Sequence, residues 1–351
     1  MRVLTIASEV PPLRSGVARS VGRVVEGLEA AGHDVTLLSY ADAPLIRGDR
    51  LRLSGLGVKL AVSRHLGRDF DVVHLHGPAP SVSDVVLARW RVAAPGVPLV
   101  YTHHFTVSLG AGWLQPLCRG YERLTTWLAR AATVVVTSTP SYRVLVCGGP
   151  PCDCRVIPWG VDFVDGGPRP PRPTPGAGPL RVLLVGQLRR YKGHDVAIGA
   201  VRGLDRVELT IVGSGPRRAE LEAATADVPN ISMLSGVDDA ALADLYAHHD
   251  VVLLPAVNRS EAFGIALLEG MAAGCVPVAS DLPGVCDIAG SAGRLFPAGD
   301  SVALRSVLSS LAEDESDVAE RADRARAFAA DHPWERTVSD YVAVMAEITS
   351  S

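Results

Sequence analysis

The segment Gly166-Gly167-Pro168-Arg169-Pro170-Pro171-Arg172-Pro173-Thr174-Pro175-Gly176-Ala177-Gly178-Pro179 holds six prolines and four glycines. Proline locks φ and has no N–H to donate, so this stretch cannot join a sheet and reads as a linker. It divides the 351 residues into two parts, each of domain size. On both sides short apolar runs alternate with helical patterns, the signature of parallel sheets with helical crossovers.

Before the linker, strands are expected at Val3–Ala7, Val35–Leu38, Val72–Leu75, Leu99–Tyr101 and Thr133–Val136. Between the first two, Val17, Val21, Val24 and Leu28 recur at spacings of four, three and four, one apolar stripe of a helix that Gly32 should stop. After it the rhythm restarts at Arg181–Val185 and continues at Val207–Val212, Ile231–Leu234, Val251–Leu254 and Val276–Ala279. The expected division is 1–165, linker 166–179, second domain 180–333 and a final helix over 334–351. Two sheets joined by one linker leave a cleft, and open α/β sheets bind ligands at strand C-terminal ends.

Composition excludes several classes. The formal net charge is -4, so nothing announces a nucleic-acid binder. No apolar run of about 18 residues is present to cross a membrane. The start, Met1-Arg2-Val3-Leu4-Thr5-Ile6-Ala7, reads as a buried strand instead of an export signal, and a cytoplasmic location is expected. In that setting Cys118, Cys147, Cys152, Cys154, Cys275 and Cys286 are expected to be reduced thiols in loops or core. Cys152 and Cys154 are one residue apart, unlike a zinc ribbon or thioredoxin-type motif.

Two segments carry chemistry. Arg259-Ser260-Glu261-Ala262-Phe263-Gly264-Ile265-Ala266-Leu267-Leu268-Glu269 follows a buried strand and opens a helix, so its first amides form a ready anion site. Glu269, set among apolar residues, needs a partner, and sugar hydroxyls would serve. The bland alternative makes Glu269 solvent-facing and Glu261 a complement to the helix dipole. Gly186-Gln187-Leu188-Arg189-Arg190-Tyr191-Lys192-Gly193 places basic residues directly after a strand, which suits a diphosphate. A nicotinamide dehydrogenase is disfavoured, since no strand is followed by Gly-x-Gly-x-x-Gly and Gly213-Ser214-Gly215-Pro216 lacks the third glycine.

Gly-x-Leu-x-x-x-Lys-Gly, then Ser-Glu-x-Phe-Gly-x-x-x-x-Glu, then Ala-Gly-x-Pro-Val, together resemble the retaining GT-B glycosyltransferases of family 4. Pro11–Gly16, Gly32-His33-Asp34-Val35, Ile157–Asp162 and Pro333-Trp334-Glu335 extend the resemblance over nearly the whole chain. It implies two Rossmann-like domains facing across a deep cleft, with the last helix crossing back to the first domain. It further implies retaining transfer of a hexosyl unit from a UDP- or GDP-linked sugar to a glycan, glycolipid or natural-product hydroxyl, with no metal or other cofactor.

Residue by residue, the resemblance assigns the amides of Ser15 and Gly16 and the side chain of Lys192 to the diphosphate. Gly186, Gln187 and Arg189 join them. Phe263, Gly264 and Ile265 would hold phosphate and sugar through backbone groups, Glu261 would face the transferred sugar, Glu269 the ribose, and Val237 the base. His104, in Thr102-His103-His104, would sit near acceptor and donor sugar. His74 reads as a core histidine, and no thiol or carboxylate completes a zinc site with the histidines.

Two departures stand out. Ser15-Gly16 replaces the usual Gly-Gly, and serine restricts φ. Gln187 replaces an arginine, with Arg189 the favoured substitute over Arg190; if neither reached the phosphates the enzyme would be slow or dead. A silent nucleotide-sugar binder is the rival that Glu261, Glu269 and Lys192 argue against. Finally the stretch 47–68 is basic with apolar residues interleaved, a pattern that can dock on an anionic membrane or simply be solvated.

Overall fold

The computed structural model describes residues 1–11, 13, 15–39, 70–80, 82–93, 96–107, 115–148, 152–162, 178–290 and 292–350. The basic stretch 47–68 and the linker up to residue 177 lie outside them. Two compact units emerge: Met1–Trp159 together with Trp334–Ser351, and Gly160–Pro333. The division falls ahead of the proline-rich segment, because the Val161 N–H already bonds the His332 carbonyl at 2.9 Å and Val161 bridges Pro333.

In the first unit β1 (Arg2–Ala7), β2 (Asp34–Ser39), β3 (Val72–Gly77), β4 (Leu99–His103), β5 (Val134–Thr137) and β6 (Cys154–Val156) form one sheet in the order β2-β1-β3-β4-β5-β6. All its pairings are parallel. The crossovers include α1 (Gly16–Ala30), α2 (Ser83–Ala93), α3 (Gln115–Ala129) and α4 (Pro140–Cys147). Val21, Val24 and Leu28 of α1 are buried as their spacing requires, and Gly32 follows the helix at φ 82°. Strand β6 had no signal in the sequence: it is a three-residue edge strand that carries Arg155.

The second unit repeats the plan. Strands β7 (Leu180–Val185), β8 (Val207–Val212), β9 (Ile231–Leu234), β10 (Val251–Leu254), β11 (Val276–Ser280) and β12 (Arg294–Phe296) lie in the order β12-β11-β10-β7-β8-β9, all parallel. Its helices are α5 (His194–Val201), α6 (Arg218–Thr225), α7 (Asp239–His248), α8 (Ile265–Ala272), α9 (Val285–Ala289), α10 (Ser301–Glu313) and α11 (Glu315–Ala330). Valine and leucine of the central strands form the core with Leu304, Leu308 and Leu311 of α10. The unforeseen edge strand β12 is again three residues long.

The last helix, α12 (Trp334–Thr349), belongs to the first unit. Trp334, Thr337, Tyr341, Val344 and Met345 form its buried stripe. It lies so close to α1 that a Cβ at Gly27 would collide with Val338. The Thr337 hydroxyl donates to the Pro158 carbonyl at 2.8 Å.

Both sheets reverse direction once. In the first, the chain runs from β1 to β2 on one side and then to β3 on the other; in the second, β8 and β9 lie to one side of β7 and β10 to the other. Loops leaving the two strands at such a reversal diverge and open a crevice at their C-terminal ends.

Candidate functional site

In the second unit the reversal lies between β7 and β10, and both chemically marked segments follow these strands. Two stitches hold the loop after β7. The Leu188 N–H donates to the Ser214 carbonyl at 2.9 Å, and the Val257 N–H donates to the Tyr191 carbonyl at 2.9 Å. The second stitch ties the short 3-10 turn Arg190–Lys192 to the loop after β10. Gly193 ends that turn at φ 72°, where a Cβ would strike the Pro255 carbonyl. Only glycine meets both demands.

This closure brings Lys192 to Glu261. Lys192 Nζ donates to Glu261 Oε2 at 2.6 Å, while Glu261 Oε1 accepts the Gly264 N–H at 3.1 Å. Each side chain is only 13% exposed. Burial opposes the ammonium, yet the charges of Glu261 and Tyr191 and the hydrogen bond outweigh it, so the Lys192 pKa is raised. The lysine is therefore cationic at neutral pH. Its tail covers Gly186, where a Cβ would come within 3.3 Å of Nζ.

Gly264 stands at φ 82° before α8, and a Cβ there would lie 2.7 Å from Leu254 Cδ2. The Phe263 side chain is buried, so only its backbone is available to a ligand. The first amides of α8 have no acceptor within the helix and mark an anion-binding end. Glu261 thus complements the helix end, as the bland reading of the sequence had it, and also pairs the lysine, a contact the sequence did not suggest. Glu269, half-buried within α8, accepts from the Tyr246 hydroxyl at 2.9 Å through Oε2.

Gln187 has its own cation. Arg189 Nε donates to Gln187 Oε1 at 2.9 Å, while the charge of Arg190 acts on Glu220. The amide at position 187 therefore holds a guanidinium beside the loop. Val237 stands after the edge strand β9, two strands away from β7. Tyr246 and His194 went unnoticed in the sequence. His194 is buried behind the loop, its pKa lowered to about 4 by burial and by the charges of Lys192 and Arg217.

In the first unit the reversal lies between β1 and β3. Ser15 caps α1: its hydroxyl accepts the Ala18 N–H at 3.1 Å and donates to the Glu9 carboxylate. Its φ of -133° is ordinary extended backbone, so the serine imposes no strain where the family resemblance has glycine. Gly16 is the first residue of the helix. Pro12 and Arg14 of this loop lie outside the described residues.

Strands β3 and β4 end in a cluster of buried histidines. His76 Nδ1 and His104 Nε2 share a hydrogen bond of 2.8 Å, and the His104 ring stacks on Trp159 at 5.2 Å. His74 is a core residue: its Nε2 pairs with Thr102 Oγ1 at 2.9 Å, which pairs with the Tyr341 hydroxyl at 2.9 Å. Burial lowers the pKa of His74 to about 3 and of His103 to about 4, and holds His76 and His104 well below the usual range. These rings are neutral at pH 7, so His104 can exchange hydrogen bonds without bringing a charge. What places His76 beside His104 is the β3–β4 register, which sequence spacing alone does not show.

One expectation is corrected. Cys147 and Cys154 form a disulfide, so not all six cysteines are free thiols. The pairing joins the end of α4 to the start of β6, an edge strand the sequence did not reveal.

Known proteins place these features in a family. Residues 14–164 match the family model Glycosyltransferase Family 4, and residues 179–314 match Glycosyl transferases group 1. The chain is 31% identical to the phosphatidyl-myo-inositol mannosyltransferase of Mycolicibacterium smegmatis, over 86% of this chain and 82% of that protein. Among solved structures, sucrose-phosphate synthase from Thermosynechococcus elongatus superposes with a TM-score of 0.77 at 17% identity, covering 99% of both chains. Anabaena HepE in complex with UDP gives 0.72 at 17% identity, over 99% of this chain and all (100%) of that one. The chain belongs to glycosyltransferase family 4, a glycosyltransferase with the GT-B fold.

Proposed function

We propose that this enzyme transfers a hexosyl unit, with retention of anomeric configuration and without a metal ion, from a UDP- or GDP-linked sugar to a hydroxyl of a glycan, glycolipid or natural product. The observation that carries the reading is the Lys192–Glu261–Gly264 arrangement at the N-terminus of α8, on the loops of a topological reversal. A cation and outward-pointing amides in a partly buried site suit a departing diphosphate, whose charge grows as the glycosidic bond breaks. The mannosyltransferase relative and the UDP-bound structure support a nucleotide-sugar donor.

In this reading Lys192 and Arg189 neutralise the phosphates, and the amides of Ser15, Gly16 and Ile265 donate to them, with Gly186 giving the lysine room. Glu261 exchanges its bond to Lys192 for hydroxyls of the donor sugar. Glu269, steadied by Tyr246, takes the ribose hydroxyls, and Val237 contacts the base. His104, neutral and oriented by His76, holds the sugar by hydrogen bonding. The acceptor oxygen attacks the anomeric carbon on the face the diphosphate leaves. The name of the mannosyltransferase relative makes a lipid-linked acceptor a natural first choice.

The test is turnover with UDP-, GDP-, ADP- and dTDP-hexoses, following the anomeric configuration of the product. Transfer from a UDP- or GDP-hexose with retention is expected. Inversion, or strict dependence on an added divalent ion, would overturn the mechanism.

A further inference from the structure

Cys147, Cys152 and Cys154 gather where α4 ends and β6 begins in the first unit. A disulfide joins Cys147 to Cys154, with Cα atoms 6.5 Å apart. Cys152 is a free thiol, and the three sulfurs all lie within 4.8 Å of one another. A single bridge makes no use of the third thiol. Three thiolates around a tetrahedral zinc ion, with Zn–S bonds of about 2.3 Å, sit roughly 3.8 Å from each other. Cys152 is already within 4.8 Å of both bridged sulfurs, and reduction frees Cys147 and Cys154 to part toward that spacing.

The surroundings suit a soft cation. Both carboxylate oxygens of Asp153 are held by Arg155, at 2.7 and 2.9 Å, so the sulfurs remain as the donor set. Thiolate donors select zinc and similar soft ions over magnesium or calcium. Three thiolates and one divalent ion leave a net charge of minus one. Burial, with the charge of Asp153, raises the Cys152 pKa against the nearby charges of Arg130 and Arg143, so the metal itself must draw off the proton. Cys154 is buried, whereas Cys147 and Cys152 are half-buried, leaving one side open to water.

We propose that Cys147, Cys152 and Cys154, once reduced, form a thiolate site for one zinc ion, with water as the fourth ligand. Reduction of the bridge by a thiol or phosphine takes two electrons and yields two thiols. Binding then releases three protons as three thiolates close on the ion. The oxidised chain, with two sulfurs bonded to each other, binds no ion here. The ion braces β6, the strand that leads to Trp159 and its stack on His104.

Cobalt reports such a site directly, since thiolate–cobalt charge transfer absorbs in the near ultraviolet. The full chain, reduced with a phosphine under argon, is titrated with cobalt and then with zinc. Saturation at one cobalt per chain, displacement by zinc, and at least ~10-fold weaker binding in Cys152→Ser are expected. Cys118→Ser is expected to bind as the unmodified chain does. No charge-transfer band would overturn the proposal, as would a Cys152→Ser chain that binds cobalt as tightly as the unmodified one. So would a thiol count showing that Cys147 and Cys154 stay bridged in the folded chain under excess phosphine. Should Cys152→Ser fail to fold, Cys152→Ala and Cys147→Ser provide the same comparison, with circular dichroism confirming the fold.

Discussion

Glu261 joins an ammonium to a helix amide, so a change there is felt on both sides. Glu261→Gln keeps the shape but leaves Lys192 half-buried without its anion. It is expected to lower stability by about 1–3 kcal/mol, read from urea unfolding, as well as turnover. Arg189 and Arg190 separate cleanly: Arg189→Ala should raise the KM for donor several-fold, whereas Arg190→Ala should leave it nearly unchanged. Equal effects would show that the Gln187 contact does not select the cation. Glu261 and Glu269 were legible because their spacing puts one before a helix and one within it. Tyr246 was not, since it reaches Glu269 from a different helix, and no local pattern records that contact.

At the scale of elements, central strands such as β5 and β10 were legible because each is an apolar run buried along its whole length. Edge strands β6 and β12 escaped notice because they are three residues long and carry Arg155 and Arg294. The disulfide went with them, since Cys154 opens β6. The ends of β3 and β4 make a testable unit. His74 and His103 titrate near 3 and 4 when folded and near 6.5 when unfolded. Between those values the unfolded chain binds more protons, so stability is full above about pH 6.5 and falls as pH drops toward 4. Each buried histidine contributes up to about 1.4 kcal/mol per pH unit in that window. Urea midpoints from pH 7 to pH 4.5 should fall more steeply for the unmodified chain than for His74→Asn. Parallel curves would refute the assignment.

At the scale of the whole molecule, the proline-rich break and the twofold strand rhythm foretold two parallel sheets. The return of the last helix to the first unit came only with the family resemblance. Tyr341 shows why that helix matters there: it is fully buried and meets His74, Trp159 and Thr102. Tyr341→Ala is expected to cost about 3–5 kcal/mol of stability in the first unit, measured by thermal unfolding. The central claim is that a lysine ammonium and peptide amides stabilise the departing diphosphate. Its most direct test is the rate of nucleoside diphosphate release from the preferred donor by Lys192→Ala, with folding confirmed by circular dichroism. The account predicts a fall of about 100-fold or more; a rate within a few-fold of the unmodified enzyme would contradict it.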